Sequence, residues 1–447
     1  MPFNVTETLE RPRFFPFCEL TSEESSGRLG DRMFPGLRLA GENQQQPRLR
    51  KRQPTHRKTR EERPMLSTKR LLASLLVGTL ASTSAFAADP IKIGVSQPLT
   101  GSVAASGNYV TNGAKIAAAK INEDGGLLGR EVELIIEDNK SNPREAVNAA
   151  EKLILRDKVP VIMGAWSSTF TLATMPKLEE YGVPMVVETS SSSKITKAGN
   201  PWVFRIAPTS EMEAQAFAKK LATFDPPIRK VDFLSVNNDW GLGASQEFEK
   251  MFKEHGIEIG RKETVAPSAV DLSAQLSALK DTGSDTLIVT SGVEQLTLGI
   301  RQAAEQQLPQ RIVTTGGSFP EPLLESPGPD GYTSTHLLFF SPWTAESAVY
   351  PEVAEGFVKA WNDAGYSFPG LSEGFRGYDG IMTIAAAIED AGTAEPEAIR
   401  DALWGVDVKG VNGDISFFKD GPEGKESGQN EPNVYVVQLK DGEVSAQ

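Results

Sequence analysis

Downstream of Met65 the chain has two histidines, His255 and His336, and no cysteine, since the only one is Cys18. That part of the chain therefore holds no thiol nucleophile, no disulfide and no Cys/His metal cluster. No Gly-x-Ser-x-Gly elbow and no His-Glu-x-x-His zinc motif occurs in it. Gly125, Gly126 and Gly129 neither follow a strand nor open a helix, so they are not a dinucleotide fingerprint. What remains is a chemistry of hydroxyls and aromatic rings in loops. Gly164-Ala165-Trp166-Ser167-Ser168 follows an apolar run that ends at Met163, and Thr189-Ser190-Ser191 follows another that ends at Val187. Serines in such places either cap helices or offer hydroxyls and free N–H groups to an anion. Neither reading supplies a nucleophile with its base, so an enzymatic role is not expected and no catalytic residue is named.

These loops need elements to position them. Short β-branched runs at Ile91–Ser96, Glu131–Ile136, Pro160–Met163 and Pro184–Val187 alternate with helical stretches at Asn112–Asn122, Pro143–Arg156 and Leu172–Tyr181. The alternation predicts a parallel sheet covered by helices on both faces. After Arg205-Ile-Ala-Pro208 the rhythm restarts, with strands at Val231–Val236, Thr286–Thr290 and Arg311–Thr314. Helices are expected at Glu211–Phe224, Ala244–His255, Leu272–Leu279 and Gln295–Gln306. A second parallel sheet follows from the same argument. The last part reads as helices near Pro351–Asp363 and Gly380–Ala391, then short strands at Ile415–Phe418 and Val434–Gln438. The fold class is α/β, with two doubly wound domains.

The formal net charge is −13 over 447 residues. Residues 1–64 hold 13 Lys/Arg against 9 Asp/Glu, so the acidic excess lies in the body from Asp89 onward. An acidic body repels phosphate backbones, which excludes nucleic acid as an expected partner. Residues 1–64 show no sustained apolar periodicity and are read as an extension that is disordered or wrongly joined to the chain. From Met65 the pattern changes: Lys69-Arg70, the apolar stretch Leu71–Leu80, then Ala85-Phe86-Ala87 before Ala88. This is the layout of a secretory signal peptide over residues 65–87. Periplasmic export without a membrane anchor is the expectation.

Several motifs then carry a resemblance. Ile93-Gly-Val-Ser-Gln-Pro-Leu-Thr-Gly101, Ile121-Asn-Glu-Asp-Gly-Gly-Leu-Leu-Gly-Arg130, Met163-Gly-Ala-Trp-Ser-Ser168, Tyr181-Gly-Val-Pro184, Asp239-Trp-Gly241 and Gly377-Tyr-Asp-Gly380 occur in that order. Together they resemble the leucine/isoleucine/valine-binding protein family, the solute-binding subunits of branched-chain amino-acid ABC transporters. The resemblance implies the type I periplasmic binding fold, two Rossmann-like domains joined by three crossover segments. The crossovers are expected near Ala207–Ser210, Leu338–Ser341 and Phe418–Pro422. One lobe would then comprise 89–208 plus 338–420, and the other 209–337 plus 421–447. The implied partners are a small solute and the transporter permease, with a monomer, no cofactor and no metal.

The resemblance also implies a site. Ser168, next to Ser167 and Trp166, matches the position that grips an amino acid's carboxylate. Thr189, Ser190 and Ser191 match the loop that receives the ammonium and helps orient the carboxylate. Trp240, Gly316, Tyr378 and Asp379 stand where the family places further ligand-facing groups. There is one departure. Branched-chain amino-acid binders carry an acid near the ammonium in the turn matching Thr315-Gly316-Gly317-Ser318, and this chain has none there. Asp379 and Glu188 are the nearest replacements by motif. The ligand is accordingly an amino acid first, with aromatic or aliphatic carboxylates and urea- or amide-like solutes as alternatives; a ligand-sensing subunit is the alternative role.

Overall fold

The computed structural model describes residues 89–317, 319–320, 323, 333–339, 349–367, 370–440 and 442–446. The expected signal peptide and the 1–64 extension lie outside them. The first set of apolar runs forms strands β1 (Ile91–Gln97), β2 (Val132–Asp138), β3 (Ile162–Gly164), β4 (Met185–Val187) and β5 (Val203–Arg205). Between them run α1 (Ala104–Glu123), α2 (Pro143–Glu151), α3 (Ser168–Tyr181) and the single turn α4 (Lys194–Lys197). All five strands pair in parallel in the order β2-β1-β3-β4-β5. β3, β4 and β5 are buried at every position, as strands covered on both faces must be.

The second domain repeats the plan. It contains α5 (Ser210–Ala218), β6 (Lys230–Val236), α6 (Asp239–Glu254), β7 (Glu258–Val265), α7 (Ser273–Lys280), β8 (Thr286–Thr290), α8 (Val293–Glu305), β9 (Arg311–Thr314) and β10 (Thr333–Leu338). Its parallel order is β7-β6-β8-β9-β10, the same permutation as in the first sheet. In both sheets the order reverses beside the first strand, which opens a crevice beyond the carboxyl ends. β7 carries Glu258, Arg261, Lys262 and Glu263 and lacks the apolar signature of a buried strand. It lies at the sheet edge, where exposed charge discourages pairing with another chain.

After β10 the chain returns to the first domain as α9 (Pro351–Asp363), α10 (Leu371–Ala391) and α11 (Pro396–Leu403). α10 buries Ile381, Ile384 and Ile388 completely, each side chain stabilising the fold by about 1.5–3 kcal/mol. It crosses α1 backbone to backbone. A Cβ on Gly113 would lie 1.7 Å from the Gly374 carbonyl oxygen, and one on Gly377 would lie 1.8 Å from that of Val110. Only glycine allows this approach. The contact corrects two expected boundaries: α1 starts at Ala104 instead of Asn112, and α10 at Leu371 instead of Gly380. Gly113, Gly374 and Gly377 are the packing surface between the two helices.

The chain ends with the hairpin β11 (Val408–Gly410) and β12 (Gly413–Ile415), then β13 (Phe418–Asp420), β14 (Ser427–Gln429), β15 (Tyr435–Lys440) and β16 (Glu443–Ala446). β13 and β14 extend the first sheet next to β5, and β15 and β16 extend the second next to β10, giving seven strands in each. The last passage between domains therefore lies between Gln429 and Tyr435 and not at Phe418–Pro422. Ser427-Gly-Gln429 is short and polar, so the sequence did not announce a strand there. It is nonetheless buried, and Gln429 Oε1 accepts a hydrogen bond from Arg205 Nε at 2.6 Å. Among the described residues no helix is long and apolar enough to cross a membrane.

Candidate functional site

The loop after β3 turns sharply. Trp166 adopts φ +62°, a left-handed conformation uncommon for a bulky residue. Ser167 then stands at the N-cap of α3, and its side chain makes no capping bond. The capping reading is thus not the one this hydroxyl takes. Ser168 opens the helix, and its Oγ accepts from the Ser192 N–H at 3.1 Å. Ser190 Oγ donates to the Trp166 carbonyl at 3.0 Å and contacts Thr171 Oγ1 at 2.8 Å. The two serine-rich loops are therefore one hydrogen-bonded unit at the amino end of a 14-residue helix, where N–H groups and the helix dipole favour negative charge.

Arg205, fully buried on β5, holds that unit from behind. Its guanidinium donates to the carbonyls of Ser190 at 3.2 Å and Ser192 at 2.6 Å, to Thr196 Oγ1 at 2.9 Å and to Gln429. Burial lowers its pKa to about 9, so it stays cationic at neutral pH. The fork geometry of arginine suits several fixed acceptors at once.

The second domain supplies the opposite wall. Asn238 caps α6 by accepting from the Gly241 N–H at 2.9 Å, which places Trp240 in the first turn. Its indole lies on Gly316, in the turn after β9: a Cβ there would be 2.1 Å from Cζ2 of the ring. The two walls also touch. Thr169 Oγ1 donates to Asp239 Oδ2 at 2.9 Å and accepts from the Asp239 N–H at 3.2 Å. Trp166 Nε1 donates to Glu373 at 3.2 Å, and its ring edge reaches the N-cap of α8 at Gly292.

A cavity lies between these walls. It is lined by Trp166, Ser167, Ser168, Thr189, Ser190, Ser191, Trp240, Gly316 and Arg376. Every site residue named from the sequence is there except Tyr378, Asp379 and the alternative acid Glu188. Tyr378 and Asp379 fall inside α10 because the helix starts earlier than expected. Tyr378 packs in the first domain's core, with its ring 5.4 Å from that of Phe357. Asp379 accepts from the backbone N–H groups of Val411 at 2.9 Å and Asn412 at 3.4 Å. Burial pushes its pKa up to about 7. Together with Glu188 it lines a separate cavity along the crossing segments, beside Ala207 and Asn430. Glu188 accepts from Gln97 Nε2 at 2.9 Å and from the Trp166 N–H at 3.3 Å, and burial raises its pKa.

Two charged residues were missed. Arg376 lines the cavity from α10 and donates to the carbonyls of Gly317 at 2.9 Å and Gly316 at 3.4 Å. Glu213, on α5, is fully buried, and its Oε2 accepts from the Gly316 N–H at 2.7 Å. Burial raises its pKa to about 7, against the opposing pull of that N–H and of the Arg376 charge. A signal for it existed. Ser210, Glu213, Ala214 and Phe217 form the buried stripe of α5, and a carboxylate on such a stripe needs a reason to be there.

Residues 90–443 match the periplasmic binding protein family. The chain belongs to that family. A leucine-, isoleucine-, valine-, threonine- and alanine-binding protein of Pseudomonas aeruginosa is 26% identical over 368 residues, covering 79% of this chain and 92% of the relative. A Leu/Ile/Val-binding protein of Rhizobium johnstonii is 28% identical over 363 residues, covering 79% and 94%. Among solved structures, a leucine-binding protein from Thermotoga maritima shares the fold with a TM-score of 0.69 at 29% identity, covering 80% of this chain and 97% of that one. A solute-binding protein of an ABC transporter from Rhodopseudomonas palustris, solved with 3,4-dihydroxybenzoic acid, gives 0.67 at 25% identity, covering 80% and 96%. These family members are solute-binding proteins, and the two α/β domains are those of the type I periplasmic binding fold.

Proposed function

We propose that the protein captures a small carboxylate-bearing solute between its two domains and delivers it to the permease of an ABC transporter. The observation that carries this reading is the cavity itself. One wall is the hydroxyl- and N–H-rich amino end of α3, and the other is an indole from the second domain. Ser168 and Ser191, with neighbouring N–H groups, hold the carboxylate, while Trp166 and Trp240 form the apolar walls. A neutral amino acid is the first assignment, in keeping with the relatives' names. An aromatic carboxylate is the second, favoured by the two tryptophans and by Arg376 in the lining. Nothing in the cavity pairs a nucleophile with a base, so the reading is of binding without turnover.

Delivery to a membrane permease requires export, and we assign it to the signal at residues 65–87, with a mature terminus at Ala88. The binding reading is tested by mass spectrometry of the solute released when the purified protein is denatured. A small molecule with a free carboxylate is expected, and a solute without one would contradict the assignment.

A further inference from the structure

The turn after β9 has no room for a side chain. Gly316 has φ +84°, and the Trp240 ring fills the space that its Cβ would take. A carboxylate serving this end of the cavity must therefore come from another element. Glu213 reaches the same turn from α5, immediately after the first passage between the domains. Its Oε2 is anchored on the Gly316 N–H and the Ser191 hydroxyl interacts with the carboxyl group, whereas its buried Oε1 makes no hydrogen bond of normal geometry among the described residues. Arg376 holds the turn by its carbonyls, and its Nε is likewise buried without a partner. Glu213 borders Gly316 and Ser191, which line the cavity, and Arg376 lines it directly. An unpaired carboxylate oxygen in such a place costs free energy unless a donor arrives.

We infer that Glu213 supplies the counter-charge for an ammonium group on the solute, which makes the preferred ligand an α-amino acid and not a simple carboxylate. The inference rests on the proposed binding reading and narrows it. α3 receives the carboxylate, and Glu213, next to Ser191, balances the ammonium carried on the same α-carbon. Arg376 and Arg205 are the cations that face Glu213, and they keep its carboxyl ionisable despite full burial. Because that carboxyl titrates near neutral pH, bringing a fixed positive charge next to it expels its proton.

The test is calorimetric titration at pH 7, in buffers of different ionisation enthalpy, with neutral L-amino acids and their 2-hydroxy-acid counterparts. Wild type should bind an amino acid, release protons on binding, and bind the matching hydroxy acid at least tenfold more weakly. Glu213→Gln should bind the amino acid about tenfold to a hundredfold more weakly, with the proton release gone and the preference over the hydroxy acid erased. Glu294 and Asp379 also titrate near 7, so the comparison with the variant assigns the proton. Glu211→Gln, whose carboxylate pairs with Lys197 on the surface, should match wild type. Equal binding of amino and hydroxy acids by wild type would overturn the inference and leave carboxylate capture standing, even if Glu213→Gln does not fold. Amino-acid binding by Glu213→Gln at the wild-type level would do the same. Failure of wild type to bind any carboxylate would overturn both.

Discussion

Ser168 and Trp240 are the residues on which the account leans hardest, and their environments make opposite demands. Ser168 is buried with its hydroxyl already accepting from Ser192, so it still has a proton to donate to a solute carboxylate. Its replacement by alanine removes one bond to a charged group, and affinity should fall about tenfold to a hundredfold. Ser193→Ala, two residues beyond the lining loop, should bind as wild type does. Trp240 belongs to none of the hydrophobic clusters and is only partly buried. Trp240→Ala should therefore weaken binding while the melting temperature stays within a few degrees. A core tryptophan would instead cost about 3–5 kcal/mol on truncation, so a melt run beside each titration separates the two readings.

At the scale of elements, the loops after strands were legible from the sequence because period-2 apolar runs and the turns that end them are local signals. Ser167, Ser168, Thr189, Ser190, Ser191, Trp166, Trp240 and Gly316 all sit at such ends, and the structure gathers them around one cavity. What the sequence hid is non-local. The first turns of α10 are glycine-bearing because they pack on α1, some 260 residues away in the chain, and the expected start at Gly380 left Tyr378 and Asp379 outside the helix. Arg376 was invisible for the same reason, and the stripe of α5 hinted only that Glu213 is buried: the folded turn at Gly316 brings the two together. Asp379 now has a different consequence. Its folded pKa of about 7 lies above its ordinary value of 3.8, so the folded state holds a proton that the unfolded chain has lost. Stability is penalised progressively as pH rises from about 4 to about 7, and the penalty is then constant. Asp379→Asn removes the titration. The melting temperature of the variant minus that of wild type should therefore rise between pH 4 and 7 and level off above it. A difference independent of pH would show that Asp379 titrates normally.

At the scale of the molecule, two sheets whose five parallel strands share one order are joined by segments after β5, after β10 and before β15. The Thr169–Asp239 pair and the Trp166 edge at Gly292 are contacts that parting of the domains would break. On the proposed reading, a solute bound by both walls would favour the arrangement that keeps them and shift the population toward it. Small-angle scattering should show a smaller radius of gyration at saturating solute, and an unchanged radius at confirmed saturation would count against a clamp. The central claim, capture of a carboxylate by the amino end of α3, is tested most directly by calorimetric titration with a free acid and the amide of the same acid. The account predicts saturable one-to-one binding of the acid, no detectable binding of the amide, and at least tenfold weaker binding of the acid by Ser168→Ala. Binding of the amide as tight as that of the acid would contradict it.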